Sequence, residues 1–156
     1  MKTAQGRKLR GALLALVLVS MVAIAAPTAG GAGQSVTFHT ALSGLDPDGS
    51  GVANLRFNTA TNTLCYVIQV KNIGAPTEPA PGLGNAHIHG PRPSAGIAIH
   101  LDTKFSQSGA ADVYHAHDCV AVAPATMAAV LAHPELFYVN IHTVQFKGGA
   151  IEGNLA

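Results

Sequence analysis

Beyond its first thirty or so residues the chain settles into short runs in which apolar and polar positions alternate. Val36, Phe38 and Thr40 interleave with Thr37, His39 and Ala41. Residues 51–58 alternate again, and residues 63–71 place Leu64, Tyr66, Ile68 and Val70 on one face against Cys65, Val67 and Gln69 on the other. A period of two sends successive side chains to opposite faces, so these runs predict half-buried β-strands. Asp46-Pro47-Asp48-Gly49-Ser50-Gly51 and Ala60-Thr61-Asn62 separate them with turn chemistry.

The second half follows the same logic with more interruptions. Residues 72–85 hold three prolines and three glycines and predict a loop. Strands are expected at 86–89 and 96–101, with the Gly90-Pro91-Arg92-Pro93 turn between them. Residues 102–118 read as irregular, with a short strand near Val113. Residues 124–132 are the one helix-like piece, with Met127, Val130 and Leu131 as its apolar stripe and Pro134 beyond its end. Residues 136–144 are rich in β-branched and aromatic residues, and Lys147-Gly148-Gly149 turns the chain into a last strand at 150–155, giving a closing hairpin. Short strands at this spacing, without βαβ units, predict an all-β fold: an antiparallel β-sandwich or Greek-key-like barrel with one short helix.

The opening stretch changes the picture of where this domain works. Lys2, Arg7, Lys8 and Arg10 precede an apolar run over residues 13–26, and small residues follow, including Ala23-Ile24-Ala25. That is the anatomy of a secretory signal peptide over residues 1–32, with cleavage expected at about residues 25–32. The domain then occupies residues 33–156, and the protein is secreted or held in the cell envelope, with no transmembrane segment once the signal is removed. All eight acids lie in this part against five of the nine basic residues, so its net charge is 5 − 8 = −3 with histidine neutral. No basic patch argues for nucleic acid. Cys65 and Cys119 are the only cysteines; in an exported chain they are expected to form a disulfide, the alternative being two buried thiols.

Eight histidines are many for this length. His87 and His89 share one face of a predicted strand, opposite Ala86 and Ile88, which are expected to face the core. In the strand that follows the helix, Phe137, Val139 and Ile141 form the apolar face, and Tyr138, Asn140 and His142 the polar one. The same parity turns His100 outward, opposite Ile97, Ile99 and Leu101. His87, His89 and His142, with His100 as a further candidate, are therefore expected outside the core, where neighbouring strands could bring three or four imidazoles together. Imidazoles without thiolate suit copper or zinc. Equally, each histidine could simply bond backbone carbonyls and fix a loop. His115 and His117, near Asp112 and Asp118, form a second His-X-His in the stretch read as irregular. His39 and His133 are expected to face solvent. No Gly-X-Ser-X-Gly elbow, free thiol or phosphate-binding glycine loop is present, so no catalytic residue is assigned.

Several of these segments together resemble the CHRD (chordin-type) domain family. Ala86-His87-Ile88-His89 followed by Gly96-Ile97-Ala98-Ile99 is similar to its central signature. Tyr138-Val139-Asn140-Ile141-His142-Thr143 and Gly149-Ala150-Ile151-Glu152-Gly153-Asn154-Leu155 are similar to its C-terminal one, and Ala41-Leu42-Ser43-Gly44 with Gly51 to its opening. The paired cysteines resemble those of bacterial single-domain members. Two positions depart from the pattern: Glu152 stands where the family usually has Arg, and Asn154 where it tends to have Gln. The resemblance implies an exported module. It extends to no particular ligand, since a fold does not carry a function with it.

Two function classes follow. One is a non-enzymatic binding module for an extracellular ligand or protein that the sequence does not identify. The other is a copper- or zinc-binding protein using His87, His89 and His142, with a redox enzyme as its extension.

Overall fold

The computed structural model describes residues 33–156, apart from residues 95 and 102. The leader expected at residues 1–32 lies outside them. Among the described residues nine strands form two antiparallel sheets. The first sheet has the order β1-β2-β3-β7-β6, built from Ser35–Leu42 (β1), Ser50–Asn58 (β2), Thr63–Lys71 (β3), Val113–Ala121 (β7) and Ser106–Gln107 (β6). The second has the order β5-β4-β8-β9, built from Ile97–Leu101 (β5), Ala86–His89 (β4), Tyr138–Ile141 (β8) and Ile151–Asn154 (β9). A helix, α1, spans Pro124–Ala132, and a 3-10 turn at Pro134–Leu136 leads into β8. This is the all-β sandwich that the alternation predicts.

The inward faces match the period-two reading. Leu55 and Phe57 of β2, Leu64, Ile68 and Val70 of β3, Ala86 and Ile88 of β4, and Val139 and Ile141 of β8 are all fully buried. They belong to one apolar cluster shared by both sheets, which Met127 and Val130 of α1 join. Removing this apolar area from water is the main stabilising term. Proline opens the helix at its first turn, where a missing N–H costs nothing.

The structure corrects one element. The stretch read as irregular after residue 102 contains β7, a nine-residue strand paired with β3 along its whole length. Its partner specifies it: Ile68 stands opposite Ala116, and Cys65 opposite Cys119. The two cysteines form a disulfide across these neighbouring strands. The strand expected over residues 136–144 is shorter, Tyr138–Ile141, because Pro134–Leu136 takes a helical turn before it. The segment at residues 72–85 is a loop as predicted. It is fastened to the end of β8, since Thr77 N donates to His142 O (3.0 Å) and His142 N donates to Asn85 O (2.9 Å).

Candidate metal centre

The second sheet carries the candidate residues in register. β4 lies between β5 and β8, so His87 has His100 opposite it on one side and Asn140 on the other. His89 has Tyr138 opposite it on β8, and Asn140 has Glu152 opposite it on β9. The parity that sends Ala86 and Ile88 into the core thus gathers these side chains on the outer face.

That outer face is covered over two of the histidines. His87 is 1 % exposed and His142 4 %, although both point away from the main core. The loop at 72–85 roofs the sheet over His87, and the turn after β8 covers His142. Each roof segment contributes a backbone carbonyl to a ring nitrogen. His87 Nε2 donates to Leu83 O, and His142 Nδ1 donates to Lys147 O at 2.9 Å. A carbonyl only accepts, so each of those nitrogens carries the proton. The other ring nitrogens, His87 Nδ1 and His142 Nε2, face each other at 3.1 Å.

Burial holds both rings in the neutral form. The His87 pKa is lowered from 6.5 to about 4, chiefly by desolvation, which the bond to Leu83 opposes and the neighbouring His142, His89 and His100 reinforce. The His142 pKa is lowered as well, again first by desolvation, with the Lys147 carbonyl opposing and His89 adding. Two neutral rings whose protons are committed to carbonyls thus turn lone pairs toward one another. That arrangement is repulsive unless a cation lies between them.

His89 completes the group. One ligating nitrogen from each of His87, His89 and His142 lies within 4.8 Å of the others, and this is the only such convergence of histidine, cysteine or carboxylate groups among the described residues. Metal–nitrogen bonds of about 2.0–2.1 Å would span ring nitrogens roughly 3–4 Å apart, so a zinc or copper ion could be held by a small inward movement of one ring. A backbone carbonyl holds the distal N–H of His87 and another that of His142, the kind of support that fixes ligand orientation in metal sites.

His100 stands beside His87, with ring centroids 5.6 Å apart, but is exposed and directs Nδ1 to Leu83 O at 3.2 Å. It reinforces the carbonyl that holds His87 and lies outside the convergent group. His115 and His117 lie on β7, on the other sheet, where Gln69 Nε2 stands 3.4 Å from His115 Nε2. His39 and His133 are exposed as expected. The carbonyls of Leu83 and Lys147 were missed by sequence reasoning because any residue presents one; only the loop path selects them. Arg92 was also missed as part of the site, although its place three residues after His89 in a Gly-Pro turn was a signal.

The family model for the CHRD domain matches residues 28–155. The chain belongs to the CHRD domain family. No match was found among curated proteins or among solved structures. Within this CHRD domain the central motif falls on β4 and the start of β5, and the C-terminal motifs on β8 and β9, so the segments that carry the family likeness also carry the histidine group. At Glu152, where the family usually has Arg, the carboxylate meets Arg92 at 3.2 Å.

Proposed function

We propose that this CHRD domain is an exported, non-enzymatic binding module, and that what it holds at the His87–His89–His142 group is a copper or zinc ion. The observation that carries the reading is that His87 Nδ1 and His142 Nε2 face each other at 3.1 Å while the other nitrogen of each ring meets a backbone carbonyl, Leu83 or Lys147. A divalent ion held there uses all three rings. A donor set of imidazoles suits copper and zinc better than magnesium or calcium, which favour oxygen. Export is supported by the basic and apolar leader at residues 1–32 and by the Cys65–Cys119 disulfide, which belongs to oxidising compartments. Among the described residues no helix is long and apolar enough to cross a membrane.

The test is calorimetric titration of the untagged mature protein with copper and with zinc, beside His87→Ala and His142→Ala. One ion per chain is expected, with affinity reduced about 100-fold or more in each variant and lost in acid, since protonated imidazole does not ligate. Weak uptake that is the same in all three proteins would sink the reading. It would leave the histidines as fasteners of the two roof segments, whose loss lowers stability with no dependence on metal.

A further inference from the structure

His87 and His142 are each held by a carbonyl, and they already stand in ligating proximity. His89 is placed by different means. It is the last residue of β4 and the least buried of the three. The ring of Tyr138, its partner across the β4–β8 ladder, stacks on it with centroids 5.2 Å apart and planes 15° from parallel. The Tyr138 ring also carries the Arg92 guanidinium, whose central carbon lies 3.9 Å from the ring centroid. Arg92 is in turn paired with Glu152 of β9 at 3.2 Å.

The chain reaches this arrangement by reversing directly after His89. Gly90 has a φ of 141°, and a Cβ there would collide with the Phe137 ring and the Leu136 carbonyl. Arg92 N then donates to Leu136 O at 2.9 Å, which fixes Arg92 next to the start of β8. A guanidinium over an aromatic face is attractive, and the carboxylate orients it.

We propose that Tyr138 and Arg92 are positioning residues that hold the His89 ring in the plane required for it to join His87 and His142 on a metal ion. The inference rests on the metal reading above and deepens it. The column Glu152–Arg92–Tyr138–His89 runs from a half-exposed ion pair to the ring of His89. An imidazole free to turn about its side-chain bonds must be ordered when the ion arrives, whereas a stacked one is ordered beforehand. The column also gives Glu152 a role: it is the anchor of Arg92.

The experiment compares the mature wild-type protein with Tyr138→Phe, Tyr138→Leu and Arg92→Gln. Copper(II) and zinc affinities are measured by competition with a chelator, coupled imidazole nitrogens are counted on the copper(II) form by pulsed electron paramagnetic resonance, and the melting of each metal-free protein is recorded. Wild type is expected to show three imidazoles. Tyr138→Phe keeps the stacking ring and should bind within about two-fold of wild type. Tyr138→Leu should bind about 10–100-fold more weakly and show two imidazoles, the range typical for loss of a residue supporting a ligand. Arg92→Gln should weaken binding about three-fold, in line with an exposed cation–aromatic contact. Three imidazoles and wild-type affinity in Tyr138→Leu would overturn the inference while leaving the metal reading intact. Absence of uptake by wild type would instead overturn the metal reading itself. If Tyr138→Leu does not fold, Arg92→Gln decides, and an unchanged affinity and spectrum there overturn the inference.

Discussion

The protein carries two His-X-His pairs of equal spacing, and they have opposite fates. His87 and His89 lie on β4 and His115 and His117 on β7, and in each pair both rings point to the outer face of a sheet. On the first sheet that face is open: His117 is exposed, Val52 is 45 % and Val67 53 % exposed, and the Cys65–Cys119 bridge crosses it. On the second sheet the loop at 72–85 and the turn after β8 close over the strands, bury His87 and His142, and supply their carbonyl partners. Spacing alone therefore does not make a site. What separates the pairs is a roof, a third ring from a neighbouring strand, and acceptors that fix which nitrogen holds the proton.

The largest effect should come from the open face, and it tests whether the two faces are independent. Replacing both Cys65 and Cys119 with Ser frees a separation of 54 residues in the unfolded chain, which costs about 4 kcal/mol in the chain-entropy account. Denaturant unfolding should show that loss at an unchanged affinity for zinc at 25 °C. Affinity that fell together with stability would mean that the first sheet supports the site.

Next in size is the acid response of the roofed face. The His87 pKa is lowered from 6.5 to about 4 in the folded state and that of His142 is lowered too, while the unfolded chain keeps the ordinary value. As pH falls through 6.5 the unfolded chain takes up protons that the folded chain refuses, so stability falls with pH until about pH 4 is reached. His87 alone should account for roughly 3 kcal/mol of that loss in the metal-free protein. Urea midpoints measured from pH 7 to pH 4 should therefore drop, and His87→Gln should flatten the curve over that window. A curve of the same slope in His87→Gln would place the acid sensitivity elsewhere.

The contrast between the faces also marks how far the sequence could be read. β3 and β8 were legible because Leu64, Tyr66, Ile68 and Val70, and then Val139 and Ile141, recur at every second position. Which rings share a face on β4 followed from the same parity. β7 was not legible, since its outward positions are His115, His117 and Cys119 and its inward ones include only Ala116 as a fully buried residue. The ladder to β3, a long-range partner, makes it a strand. Burial of His87 and His142 was illegible for a related reason. It depends on where a loop of prolines and glycines lands, and on Thr77 and Asn85 fastening that loop to the backbone of His142.

A smaller effect probes the turn that roofs His142. Gly149 has a φ of 128°, and an added Cβ would collide with the side-chain oxygen of buried Asn140. Asn140 Nδ2 donates to Gly148 O at 3.2 Å, next to the Lys147 carbonyl that holds His142. Gly149→Ala should cost about 2 kcal/mol, since it combines a disfavoured backbone with a displaced amide. Because the same turn presents the Lys147 carbonyl, metal affinity should fall as well, and thermal melts with and without zinc would separate the two losses. A variant that lost stability with its full affinity intact would show that the Lys147 carbonyl keeps its place without the native turn.

The smallest expected effect is the most discriminating one. His117 is exposed on β7 opposite Val67, on the sheet face that no described segment covers. His117→Ala should change stability by no more than about 0.5 kcal/mol, as for most surface substitutions that touch no special feature. It should leave zinc and copper affinity at the wild-type value. His87→Ala, made in the other His-X-His pair, should alter both stability and affinity. If His117→Ala also lowered metal affinity, the ion would be responding to histidine content on either face, and the roof and its carbonyls would no longer explain why β4 carries the site. If neither variant changed it, the metal reading would fail, and His87 and His142 would stand as fasteners of the two roof segments.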